Sequence, residues 1–160
     1  MAVGLGDLLT EKTIKLNAQA ADWRESVRLA GELLVAVNAV SPSYVEGMIR
    51  VVEELGPYMV VAPGIALAHA RPEDGVQRMC MSLVRLVSPV EFGSRANDPV
   101  DLVFAFGAED KQGHIQALQE LAVFLQNEDA VTALRQCDSV QEAVQLIRDY
   151  SRKGEVDPTD

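Results

Sequence analysis

The chain has 160 residues, 48% of them apolar and 24% charged, which suits one soluble domain with a full hydrophobic core. Its 24 acids against 14 lysines and arginines leave a formal charge of −10, a balance that disfavours nucleic acid and anionic lipid as partners. No apolar run approaches the roughly 18 to 20 residues of a membrane helix, so no direct membrane insertion is expected.

The first dozen residues, "MAVGLGDLLTEK", lack a basic stretch followed by an apolar block. Cys80 and Cys137 stand 57 positions apart with no metal-binding spacing. Two free thiols in a cytoplasmic protein are the expectation.

Residues 13–20, "TIKLNAQA", alternate Ile14 and Leu16 with polar neighbours, the pattern of a half-buried strand. Asp22 then opens a helix with Glu25 three residues on, as in a capping box. Trp23, Val27, Ala30, Leu34 and Val37 make its apolar face. A second helix has Ser41 at the N-cap position and Pro42 in its first turn. Its stripe is Val45, Met48, Ile49, Val52 and Leu55, and Gly56-Pro57 stops it.

Three apolar runs follow: "YMVVAPGIALAHA", "MCMSLVRLVSPVEF" and "PVDLVFAFGAE". Their density of Val, Leu, Met and Phe predicts strands buried on both faces. Met48, Met59, Met79 and Met81 are expected to fill the core. The last third reads as helices capped by Asp110, by Asn127, and by Ser139 with Glu142. Residues 1–150 are expected to be the domain and 151–160 a polar tail. The order αβααββββααα predicts an α/β fold: a single domain with a central mixed sheet flanked by helices on both faces.

The chemistry concentrates on two histidines. His69 ends the run "GIALA", where the chain leaves the sheet, and α/β sheets commonly place ligands there. His114 opens the helix after "DLVFAFGAE" and shares a stripe with Leu118, Leu121 and Leu125. Either histidine alone could be a hydrogen-bonded structural residue. Together they can meet at one sheet edge if their strands are neighbours.

A neutral imidazole is a good nucleophile toward phosphorus, and the phosphoimidazole passes its phosphoryl group on readily. Arg71, beside His69, can disperse the phosphoryl charge, as can backbone N–H groups near Gly64 and His114. That set requires neither a metal nor another cofactor. A metal site could use both histidines with Glu73, Asp74, Glu109 or Asp110, but no HxH, HExxH or cysteine spacing supports it. There is no GxSxG elbow, and the glycines of "GPYMVVAPG" form no P-loop or dinucleotide fingerprint.

"GIALAHARPEDGV", followed by "DLVFAFGAEDKQGHIQALQELAVFLQNED", resembles the type-2 enzyme IIA domain of the bacterial phosphoenolpyruvate-dependent phosphotransferase system, the mannitol/fructose superfamily. The likeness runs from about Leu5 to Tyr150, and "VVAPGIALAHARPEDGV" is similar to the ascorbate branch. The resemblance implies a phosphoryl carrier in sugar uptake. The histidine matching His69 would take phosphate from the phosphocarrier HPr and pass it to a cognate enzyme IIB, which serves a membrane-embedded enzyme IIC. The residue matching His114 would assist.

It also leaves room for a homo-oligomer, and for the alternative role of a nitrogen-type regulatory phosphoprotein. Two positions depart from the family pattern. Ala68 stands where proline usually precedes the histidine, and offers an N–H that could meet phosphate. Glu53 stands where mannitol-type members carry an arginine. Arg50, one turn earlier, is a substitute, and Arg71 is the favoured phosphate partner.

Overall fold

In a computed structural model, described over residues 4–109 and 115–154, the elements follow the expected order. They are α1 (Leu5–Leu8), β1 (Ile14–Ala18), α2 (Trp23–Ala36), α3 (Pro42–Leu55), β2 (Val60–Ala62), β3 (Ile65–Ala68), β4 (Cys80–Val90), β5 (Val100–Gly107), α4 (Ile115–Gln126), α5 (Glu128–Gln136) and α6 (Val140–Gly154). The first of the three apolar runs divides at Pro63-Gly64 into the antiparallel pair β2 and β3. Gly64 turns there with a φ of 76°, in the region that favours glycine.

The strands form one mixed sheet in the order β1-β4-β5-β3-β2. β1 runs parallel to β4 and β3 parallel to β5, while β4 and β5 are antiparallel. Residue alternation sends Ala66, Ala68, Val103 and Ala105 to a core shared with α2 and α3. Ile65, Leu102, Phe104 and Phe106 go to the opposite core, with residues of α1, α4, α5 and α6. Helices thus cover both faces of an α/β sheet, as the apolar runs predicted. No helix among the described residues is long and apolar enough to cross a membrane.

Local rules explain most helix starts. Asp22 accepts the Glu25 N–H at 2.9 Å, and the Glu25 carboxylate reaches back to the Ala21 N–H at 3.1 Å. Asn127 accepts from Ala130 N–H, and the Ser139 hydroxyl from Glu142 N–H, each at 3.1 Å. Asp110, expected to cap α4, lies outside the described residues.

Ser41 departs from expectation. Its hydroxyl makes no cap bond to α3 and instead lies 2.6 Å from the Ser43 hydroxyl, which donates to the Asp74 carbonyl. Proline at the first helical position already removes one orphan N–H, and the serine pair ties the helix to a distant loop.

The expected apolar faces are buried or half-buried with one exception. Val27, Ala30, Leu34, Met48, Met59 and Met81 are fully enclosed, and Met79 packs partly buried against the core. Leu55, read as part of the α3 stripe, is 66% exposed. It is the last helical residue, where Gly56 turns the chain away at a φ of 83°.

α2 and α3 approach closely at Gly31, where an added Cβ would lie 2.7 Å from Val45 Cγ2 and 3.0 Å from Met48 Cε. Gly31→Ala is therefore expected to lower stability by about 1–3 kcal/mol, because overpacking outweighs the gain in helix propensity. Urea unfolding checks this, with a lower midpoint and an unchanged slope.

Two arginines join elements in ways that pattern reading does not anticipate. Arg85 on β4 donates to the carbonyls of Leu134 at 3.0 Å and Cys137 at 2.7 Å, satisfying the end of α5. Arg135 pairs with Asp101 and reaches the Pro63 carbonyl at 3.3 Å, which pins the β2–β3 turn.

Candidate functional site

His69 is the first residue beyond β3, at the C-terminal end of the parallel β3–β5 pair. Its Nδ1 lies 3.2 Å from the Leu67 carbonyl, two residues back. A carbonyl only accepts, so in the neutral ring this contact assigns the proton to Nδ1 and leaves a lone pair on Nε2. Nε2 in turn sits 3.4 Å from the Tyr58 hydroxyl. The imidazole is half-buried between Tyr58, edge-on with centroids 5.9 Å apart, and the Phe106 ring at 5.6 Å.

Tyr44 of α3 holds the backbone beneath the histidine. Its buried hydroxyl donates to the Phe106 carbonyl at 2.7 Å and accepts the Ala70 N–H at 3.0 Å. One side chain thus joins the chain leaving β3 to the end of β5. Burial pushes the Tyr44 phenol well above its ordinary pKa, so it remains protonated and keeps donating.

The following loop, with a 3₁₀ turn at Pro72–Asp74, is seated on the same helix. A Cβ on Gly47 would come 2.9 Å from the Asp74 carboxylate, and one on Gly75 would come 2.0 Å from the Ser41 hydroxyl. Only glycine permits either approach, and Gly75 also has a φ of 139°.

His69 opens into a cleft of about 470 Å³ between α3 and this loop. Arg50 and Arg71 line it, together with Tyr58, Glu54 and Asp74. Neither arginine makes an ion pair within 4.0 Å among the described residues, so both guanidinium groups are available to an anion. Glu53 points elsewhere and pairs with Arg24 at 2.9 Å. The acid that interrupts the family pattern is therefore engaged on the outer face of α2 and α3, and the cation one turn earlier lines the cleft.

Ala68 is fully buried as the last residue of β3, opposite Ala105, and does not line the cleft. His114 lies outside the described residues, although β3 and β5 are neighbours, as a meeting of the two histidines requires. Among the described residues no three His, Cys, Asp or Glu side chains gather as a metal site. Cys80 and Cys137 are free and buried, and burial pushes the Cys80 thiol up to about 11. That thiol is protonated near neutrality and is a poor nucleophile.

The arrangement offers an imidazole whose Nε2 faces a cleft with two arginines that make no ion pair among the described residues. The family model for the phosphoenolpyruvate-dependent sugar phosphotransferase system EIIA 2 matches residues 7–150. The chain belongs to this family.

The ascorbate-specific PTS system EIIA component of Escherichia coli (strain K12) is 40% identical over 145 residues, covering 89% of this chain and 94% of that protein. The mannitol-specific cryptic phosphotransferase enzyme IIA of Escherichia coli superposes with a TM-score of 0.82 at 31% identity, covering 94% of this chain and 99% of that one. The enzyme IIA of the Escherichia coli mannitol system, solved in complex with phosphorylated enzyme IIB, gives a TM-score of 0.77 at 29% identity over 89% and 99% of the two chains.

Sequence reasoning singled out His69, Arg50 and Arg71, and all three line one cleft. It missed Tyr44 and Tyr58. "GPY" before the β2 run marks a turn, which could have drawn attention to an aromatic residue facing the strand ends.

Proposed function

We propose that the protein is a phosphoryl carrier of a sugar phosphotransferase system, with His69 Nε2 as the group that is phosphorylated. The observation that carries this reading is the pairing of Nδ1 with the Leu67 carbonyl, which leaves Nε2 open beside a cleft lined by Arg50 and Arg71. The Nδ1–H bond also stabilises the positive charge that the ring gains on phosphorylation. Arg71 and Arg50 disperse the charge of the phosphoryl oxygens, and His114 assists the transfer.

HPr is the proposed donor and a cognate enzyme IIB the acceptor, in the cytoplasm, with an ascorbate-like sugar as the final substrate. The acceptor finds support in the mannitol enzyme IIA solved with phosphorylated enzyme IIB, and the sugar class in the ascorbate-specific relatives. An apolar rim suits docking of such partners: Leu55 and Tyr58, which line the cleft with His69, are 66% and 49% exposed.

Incubation with phosphoenolpyruvate, enzyme I and HPr should label the protein with phosphate that is stable in base and lost in acid. Absence of label would overturn the reading. Arg71→Ala is expected to slow labelling by about 10- to 100-fold, the effect of losing one charge-stabilising donor. Arg50→Ala should slow it as well. Stopped reactions over milliseconds to seconds check both, and an unchanged rate in Arg71→Ala would remove it from the phosphate site.

A further inference from the structure

The contact between Tyr58 and the histidine has a chemical consequence beyond packing. Tyr58 lies in the 3₁₀ turn Pro57–Met59, anchored by fully buried Met59 on one side and the end of α3 on the other. Its ring meets the imidazole edge-on, and its hydroxyl lies 3.4 Å from Nε2. With the ring proton on Nδ1, the hydroxyl must be the donor and Nε2 the acceptor. The same lone pair attacks phosphorus, so the bond cannot survive the reaction. At 3.4 Å it is long and weak, and breaks at small cost.

We propose that Tyr58 is a catalytic residue whose hydroxyl covers Nε2 before transfer and donates to a phosphoryl oxygen afterwards. This rests on His69 being the phosphorylated group. In the transfer, the Nε2 lone pair forms the new N–P bond while the donor's bond to phosphorus breaks and its electron pair returns to the donor. The Nδ1 proton stays on its ring and the phenol keeps its own proton. Only the hydroxyl's acceptor changes, from Nε2 to an oxygen on the phosphorus now bonded to it. A donor that moves with the reaction stabilises the product side and shields the phosphohistidine from water.

The test uses the full chain, with phosphorylated HPr as the probe, in single turnovers over a range of HPr concentrations. Tyr58→Phe keeps the ring, and with it the apolar docking rim. We expect its maximal rate to fall about tenfold with an unchanged half-saturating concentration, and its phosphohistidine to hydrolyse several-fold faster. The His69 Nε2 ¹⁵N resonance should also shift, which loss of a merely structural hydroxyl would not cause. Wild-type maximal rate and lifetime in Tyr58→Phe would overturn the proposal. If Tyr58→Ala then raised only the half-saturating concentration, Tyr58 would be a docking residue. Failure of the wild-type chain to label on His69 would instead overturn the carrier reading itself.

Discussion

His69→Ala should lose phosphoryl labelling by at least about ten-thousand-fold, since removal of a covalent nucleophile leaves nothing to accept the group. Cys80 cannot replace it, because burial keeps that thiol protonated. The fold should survive, because His69 is only half-buried and follows the last strand residue without entering the ladder. A stability change within about 1 kcal/mol is expected, as for a residue outside the tightly packed interior. The measurement is acid-labile phosphate on a protein whose circular dichroism and melting match the parent. Normal labelling of His69→Ala would reassign the nucleophile.

The second large effect is expected at Tyr44. Its hydroxyl is enclosed, and its two short bonds satisfy the Ala70 N–H and the Phe106 carbonyl. Tyr44→Phe preserves the ring volume and removes both bonds, leaving two backbone groups without this partner. That costs about 1–3 kcal/mol for each group left unsatisfied. Tyr44→Ala adds a cavity, as loss of a large buried aromatic does, typically about 3–5 kcal/mol.

The same change should reach the site. Ala70 follows His69, and Phe106 packs its ring against the imidazole. With the clamp gone, the contact between Nδ1 and Leu67 loses its support from both sides. We therefore expect Tyr44→Phe to slow labelling in addition to lowering the urea midpoint. A variant that melts earlier but labels at the parental rate would limit Tyr44 to stability.

These residues mark where pattern reading stopped. The α3 stripe was legible from spacing, because every third or fourth apolar residue falls on one side. Tyr44 begins that same face, yet nothing in its neighbours states that its hydroxyl spans to residues 26 and 62 positions away. Leu55 shows the converse: periodicity placed it in the core, and the helix end left it at the cleft rim. Ala68 read as part of a freer loop, because proline was expected there, whereas pairing with Ala105 makes it the last residue of β3. The capping residues Asp22, Asn127 and Ser139 were legible because a cap acts within about four residues, a distance that sequence spans directly.

By itself the sequence determined the class of fold and the order of its elements, and singled out His69 as the candidate nucleophile. Each of these rests on local periodicity or on a contiguous motif. Only the tertiary structure decided which nitrogen of His69 is open, that Arg50 and Arg71 share its cleft, and that Glu53 is turned away onto Arg24. The physical reason is that these outcomes depend on β3 lying parallel to β5 and on α3 bringing Tyr44 to the chain at their ends. Such contacts join distant parts of the chain, and they are chosen by burial of the whole sheet rather than by any neighbouring residue.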